Sequence, residues 1–366
     1  MRILQIVALL SPDGAYGGPA RVALNQCAEL RARGHDVTLA AATRGYPVVP
    51  TERDGVPLRL FDARMMFPGM GLPGISAPGL MRWFRRSVSG FDVVHIHFGR
   101  DLVSVPVAAA ARRHGIPYVL QTHGMVIPSG HPLSAPLDAM WTRKLLRAAK
   151  AVLYLTAQEH DQLVSVAKTP LRLVPLNNGV PEYPEPVVPR GSNPPEVIYL
   201  ARMHARKRPM VFVGMARALL AQGVDARFTL IGPDEGEGSR LRSELVGERR
   251  ICWEGSLTPE EVPARLARAD VFVLPSVREP YPMSVLEAMA VGLPVVLHAD
   301  CGLAPMVDAV RCGIVVDGSS DVFAAAVRSI LADRGAGRAM GDRGRTAARM
   351  DFGMDSIGDR LMDVYQ

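Results

Sequence analysis

Cysteine is scarce: Cys27, Cys252, Cys301 and Cys312 are the only four in 366 residues, and no pair has metal-ligand spacing. This excludes a disulfide-stapled scaffold and a zinc module, and free thiols in core contexts of a reducing compartment are expected. Lysine is rarer than chain length suggests, with Lys144, Lys150, Lys168 and Lys207 among 42 basic residues. The arginine and alanine bias is what a GC-rich bacterial genome produces, so the number of arginines carries little functional weight. No apolar run reaches the length of a membrane span, and "ILQIVALL" after Met1-Arg2 is too short for one. With no signal-peptide pattern, a cytoplasmic protein is expected. There is no Asp-x-Asp, so no bound divalent ion is expected, and the Gly17-Gly18 loop between the first strand and first helix is not the Gly-x-Gly-x-x-Gly fingerprint of a dinucleotide site.

What is present describes a globular protein of enzyme size. Hydrophobic residues make up 48% of the chain and charged residues 21%, and 366 residues exceed one ordinary core, so two domains are expected. Charge is uneven: residues 1–180 carry 20 basic against 11 acidic side chains, and residues 181–366 carry 22 against 25. A basic half beside a mildly acidic one suggests that one domain meets an anionic partner.

The first half alternates buried strands with amphipathic helices: "RILQIVALL", "PARVALNQCAELRARG", "DVTLAAA", "FDVVHIH", "VPVAAAARRHG", "PYVLQ" and "AVLYLT". Strand–helix–strand repetition implies parallel strands with crossover helices, a doubly wound α/β sheet. Proline-dense residues 181–195 form a linker, since prolines there exclude a helix or central strand. The rhythm restarts with "EVIYLA" and runs through "PVVLH" to "FAAAVRSILAD", giving a second doubly wound domain over 196–349. A last helix within 350–366 is expected to return to the first domain. Ligands of open parallel sheets bind beyond the carboxyl ends of the strands, so two such domains would meet at a central cleft.

The chemistry-bearing residues follow that rule. Glu279 stands just past the strand "VFVLP", and Pro282 suits the first position of the next helix. The amides of Met283, Ser284 and Val285 would then lie at a helix start, a natural phosphate site. Glu287, about one turn inside, is placed to accept hydrogen bonds from a vicinal diol such as a ribose. Ordinary surface glutamates at a helix start are the plainer reading. Arg202 follows "VIYLA" and Lys207 opens the next helix, a fork and a point charge on one loop that suit a diphosphate. In the first half, Gly17-Gly18 allow close backbone approach to a ligand, or a tight turn. His123 ends the strand "PYVLQ", again at a carboxyl end.

Together these features resemble the family 4 glycosyltransferases, from the Gly-Gly loop through "NNGV" to the last helix, most specifically in Glu-x7-Glu followed by "AMAVGLPVV". The resemblance implies the GT-B fold, two facing Rossmann-like domains. It implies retaining transfer of a hexose-type sugar from a UDP- or GDP-linked nucleoside diphosphate sugar, without a metal or other cofactor. It implies that Glu279 contacts the donor sugar, Glu287 the ribose, and Arg202 and Lys207 the diphosphate. His123 would lie near the transferred sugar, and Gly17 and Gly18 near the phosphates and acceptor. Where many relatives have Glu-Gly-Phe-Gly, this chain has Glu279-Pro280-Tyr281-Pro282, and Pro282 removes one phosphate-binding N–H.

The basic first domain would take the acceptor, a glycan, lipid-linked or phosphate-bearing molecule. Over residues 79–89, Leu80, Met81, Trp83, Phe84 and Val88 fill one helical arc, and Arg82, Arg85, Arg86 and Ser89 the other. This is either a helix packing on the sheet or a basic amphipathic helix resting peripherally on anionic membrane. Two rival functions remain at this stage: a GT-B-fold nucleotide-sugar epimerase, and a non-catalytic nucleotide-sugar-binding partner of a glycan-assembly enzyme. No nucleic-acid partner is expected.

Overall fold

The computed structural model describes residues 1–12, 17–131, 134–183, 193–258 and 260–366. These form two compact units, Met1–Gly179 with Met354–Gln366, and Val180–Gly353. The sequence divisions stood at 180/181 and 349/350; the chain passes between units at 179/180 and 353/354. Most of the expected linker, residues 184–192, lies outside the described residues, as do residues 13–16 of the glycine loop.

The first unit is built on β1 (Arg2–Leu10), β2 (Asp36–Thr43), β3 (Val56–Asp62), β4 (Val93–His97), β5 (Tyr118–Gln121), β6 (Ala151–Tyr154) and β7 (Leu173–Pro175). Their order is β7-β6-β5-β4-β1-β2-β3, all parallel, with Glu52–Arg53 antiparallel at the edge. The central strands read as continuous apolar runs because both faces are covered. Helix α1 (Gly17–Ala32) and the C-terminal helix Met354–Tyr365 close one face, where Cys27 and Leu30 cluster with Ile357 and Leu361. Helices α2 (Pro78–Ser87) and α3 (Ser104–Arg113) close the other, with Leu80, Phe84 and Val107 in its core.

Helix α2 decides between the two readings of residues 79–89. Leu80, Phe84 and Val88 are buried, and Trp83 packs against Phe61 and Phe91 at ring separations of 5.6 and 6.3 Å. Each buried apolar side chain is worth about 1.5–3 kcal/mol, whereas each arginine near an anionic bilayer offers about 1 kcal/mol. Core packing wins. Leu80, Phe84 and Val88 of the apolar arc are spent on the core, as the helix-packing alternative expects, and Arg82, Arg85, Arg86 and Ser89 are exposed. No helix among the described residues is long and apolar enough to cross a membrane.

The second unit contains β8 (Glu196–Leu200), β9 (Arg227–Ile231), β10 (Ile251–Trp253), β11 (Val271–Leu274), β12 (Val295–His298) and β13 (Gly313–Val316). They run parallel in the order β10-β9-β8-β11-β12-β13, so the winding reverses between β8 and β11. Helices α5 (Pro209–Ala221), α6 (Met283–Ala290), α7 (Ser320–Ala332) and α8 (Arg334–Phe352) belong to this unit, after α4 (Ala157–Ala167) of the first. Helix α8 is glycine-rich for a packing reason: a Cβ on Gly341 would stand 1.9 Å from the Gly292 carbonyl oxygen. Cys27, Cys301 and Cys312 are buried free thiols, while Cys252 is exposed, against the core position expected for it.

Candidate functional site

In the second unit the loops after β8, β9 and β11 converge where the winding reverses, the position at which open α/β sheets bind ligands. The β8 loop carries Arg202 and Lys207. The β9 loop is tied to it by the Met203 amide donating to Pro233 O (2.7 Å), and by Glu235 and Glu237 amides donating to Met203 O. Gly232, with φ of 139°, lies so near that a Cβ would stand 2.0 Å from Ala201 O. The β11 loop joins through the Val277 amide to Arg206 O (3.0 Å). Glu279 is fixed from the far side, its carbonyl accepting from the Gly302 amide at 2.8 Å.

This framework brings Lys207 and Glu279 into a buried ion pair, Nζ to Oε2, with the residues 9% and 7% exposed. Burial pushes the Lys207 ammonium below its ordinary range, and attraction to Glu279 partly offsets this. Arg202 pairs with Glu235 at 2.5 Å. Both basic side chains are thus held in place by carboxylates. Two hydroxyls in the β11 loop, Ser276 Oγ and Tyr281 Oη, are buried with no hydrogen-bond partner among the described residues. Buried unpaired hydroxyls are costly, so they mark polar capacity at this loop.

Helix α6 begins at Met283 with Pro282 as its N-cap, one residue later than the position expected for Pro282. Of the three amides expected to point outward, that of Val285 already donates to Pro282 O (3.2 Å). The amides of Met283 and Ser284 precede any helical acceptor, as the first amides of a helix do. Glu287 lies in the fifth position of the helix, 7% exposed.

In the first unit Gly17 and Gly18 open α1. A Cβ on Gly18 would meet nothing within 4 Å, so packing inside the chain does not require glycine there. His123 follows β5 and has a left-handed φ of 49°, unusual for a side chain of its size. Glu159, buried in the first turn of α4, holds both flanks of His123. Its carboxylate accepts from Thr122 Oγ1 and the Gly124 amide, each at 2.5 Å, and from the Leu155 amide at 2.7 Å.

Behind His123 lies a file of polar groups on the sheet face that α1 and the C-terminal helix cover. His97 Nδ1 stands 2.7 Å from His123 Nε2, and His97 Nε2 stands 3.0 Å from Gln5 Oε1. His95 stacks on His97 and meets the Tyr365 hydroxyl at 2.6 Å. Burial pushes His95 and His123 down to about 3 and His97 well below the usual histidine range, so all three are neutral near pH 7. Glu159, Glu235, His97 and Gln5 were not singled out from sequence. Only "HIH", two imidazoles on one face of a strand otherwise apolar, carried a signal.

Residues 17–179 match the family model "Glycosyl transferase 4-like domain", and residues 185–347 match "Glycosyl transferases group 1". The chain is 25% identical to the alpha-D-kanosaminyltransferase of Streptomyces kanamyceticus, covering 81% of this chain and 84% of the relative. It is 26% identical to D-inositol 3-phosphate glycosyltransferase 1 of Catenulispora acidiphila, over 100% and 95% of the two chains. It is also 26% identical to a GDP-mannose-dependent alpha-(1-6)-phosphatidylinositol monomannoside mannosyltransferase of Mycobacterium tuberculosis, over 81% and 80%. Among solved structures, Anabaena HepE in complex with UDP and glucose superposes with a TM-score of 0.75 at 16% identity, over 99% and 98% of the chains. Sucrose-phosphate synthase from Thermosynechococcus elongatus gives 0.75 at 19% identity, over 100% and 98%.

Proposed function

Because the chain belongs to the family 4-like glycosyltransferases and has their GT-B fold, we propose that it is a retaining hexosyltransferase whose donor is a UDP- or GDP-linked sugar. The acceptor is a hydroxyl of a glycan, lipid-linked or phosphate-bearing molecule. The observation that carries this reading is the convergence of Arg202, Lys207 and Glu279 on adjacent loops of the second unit, with Lys207 and Glu279 buried as a pair. The relatives support it: one is GDP-mannose-dependent, and the solved HepE holds UDP and glucose.

In this reading Arg202 and Lys207 bind the diphosphate, and the Met283 and Ser284 amides add the field of a helix start. Glu287 takes the ribose hydroxyls and Glu279 the sugar. In the first unit, His123 meets a hydroxyl of the transferred sugar, and Gly17-Gly18 leave room beside the phosphates. The bond from the anomeric carbon to the diphosphate breaks, a bond from that carbon to the acceptor oxygen forms on the same face, and the acceptor proton passes to the departing diphosphate oxygen. With the leaving charge carried by Arg202 and Lys207, neither a metal nor a cofactor enters the step. The acceptor reading rests on the basic first unit, whose Arg82, Arg85 and Arg86 stay exposed.

Turnover of UDP-glucose and GDP-mannose, followed as nucleoside diphosphate release in EDTA with cell-envelope extract as acceptor, tests the reading. Release of one nucleotide in EDTA supports it. Release of neither, or release that requires a divalent cation, overturns the corresponding part. An epimerase would instead convert the donor sugar with no acceptor present, and a non-catalytic module would bind nucleotide without releasing product.

A further inference from the structure

His123 is held from two sides, its backbone by Glu159 and its ring by His97. The ring contact carries chemical information that the backbone contact does not. Gln5 and His95 are register partners on β1 and β4, and His97 and Gln121 on β4 and β5. This places amides and imidazoles on one sheet face, among Ile3, Val7, Val93 and Val119. There Gln5 and His97 are buried at 0% and 1% exposure. Gln5 Nε2 has no partner among the described residues, so the direction of the file is set by Gln5 Oε1, the amide atom that faces His97.

Those directions can be followed from one end. Gln5 Oε1 accepts, so His97 carries its proton on Nε2. A neutral imidazole protonated there has its lone pair at Nδ1, and the group 2.7 Å from that lone pair is His123 Nε2. His123 must therefore donate from Nε2, which leaves its own lone pair at Nδ1. His97 and His123 stack with an interplanar angle of 7°, so neither ring is free to turn without breaking the bond. Burial keeps both imidazoles neutral, so no second proton relaxes the constraint.

We propose that His97, oriented by Gln5, is a positioning residue: it fixes His123 as the Nε2-protonated tautomer, so that His123 meets the transferred sugar as an acceptor of a hydroxyl proton. This rests on the assignment of His123 to that sugar. It adds a polarity to the contact: a sugar whose facing hydroxyl is absent or methylated is a poor donor. The protein spends a buried Gln–His–His file on holding one tautomer, which packing of the ring alone does not require.

The test combines a spectroscopic with a kinetic readout. Histidine 15N correlation spectra of the full chain report which ring nitrogen carries the proton, independent of any substrate. Wild type is expected to show His123 protonated on Nε2 and His97 on Nε2. Gln5→Met, close in volume, removes the acceptor, and His97→Phe keeps the stack without the bond; in both, the His123 signals should lose the single-tautomer pattern. His97→Asn, whose amide oxygen replaces the Nδ1 acceptor, should restore it.

In hydrolysis or transfer of UDP-glucose or GDP-mannose, whichever is turned over, Gln5→Met and His97→Phe should lower kcat about tenfold, the effect of one hydrogen bond lost at the transition state. KM for the donor should change little, and His97→Asn should recover most of kcat. A His123 proton on Nδ1 in wild type, or an unchanged His123 tautomer in both disruptive variants, overturns the inference. Unchanged turnover in His123→Ala instead overturns the assignment of His123 to the sugar, whatever the tautomer.

Discussion

Replacing Lys207 by methionine removes one member of a buried ion pair and leaves Glu279 charged at 7% exposure. Removing one partner of such a pair costs about 3–5 kcal/mol, because the remaining charge is desolvated and uncompensated. That is a large share of the roughly 5–15 kcal/mol that holds a domain folded. Glu279→Gln leaves the ammonium buried against an amide and is expected to cost less, since the amide oxygen still accepts. The double variant carries no buried charge and should be clearly more stable than the sum of the single losses, with a coupling of at least about 1.5 kcal/mol. Of the three tryptophans, Trp253 alone belongs to the second unit. Urea unfolding followed by Trp253 fluorescence in a Trp83→Phe/Trp141→Phe background therefore reads this unit separately. The binding arm uses the same proteins: Lys207→Met should lose nucleotide affinity, whereas Glu279→Gln should retain it and lose turnover. Additivity of the single losses within about 0.5 kcal/mol would refute the pair.

Three further outcomes follow from the geometry. Folded His95 takes its proton only near pH 3, against 6.5 when unfolded; above 6.5 both states are neutral, and below it the unfolded state binds more protons. Stability should thus fall as pH drops from 6.5 toward 3, by about 2 kcal/mol at pH 5 from His95 alone, measurable as a falling urea midpoint that His95→Phe flattens. Gly302→Ala would place a Cβ 1.9 Å from Pro280 O, and the displaced Glu279 loop should cost about 1–3 kcal/mol and weaken nucleotide binding in calorimetry. Ser276→Ala deletes a buried unpaired hydroxyl, so the free protein should melt no lower than wild type, and the thermal shift produced by UDP-glucose or GDP-mannose should shrink.

The doubly wound architecture was legible because strands covered on both faces read as apolar runs, and crossover helices carry a stripe. Helix α8 was not, because Gly335, Gly337, Gly341 and Gly344 argue against a helix locally; close approach to Gly292 overrides that propensity. The strand Val56–Asp62 was missed as well, since it lies near the sheet edge and alternates irregularly. Among the candidate residues, Arg202, Lys207 and Glu279 in the second unit and His123 in the first were visible because they lie on loops after strand ends, and Glu287 because it lies in the first turns of the helix that follows. Their partners were not. Lys207 and Glu279 are 72 residues apart, and Thr122 and Glu159 are 37 apart. Such pairings are set by strand order, and local pattern carries no information about them. The arc on residues 79–89 shows the converse limit, since an amphipathic face predicts burial without naming what buries it.

Calorimetric titration of the full chain with UDP-glucose and GDP-mannose, in wild type and in Arg202→Met/Lys207→Met, tests most directly whether the second unit holds a nucleoside diphosphate sugar through these two side chains. The account predicts saturable binding of one donor by wild type and its loss in the double variant, with the fold intact by circular dichroism. Binding of neither donor, or equal affinity in wild type and the double variant, would contradict it.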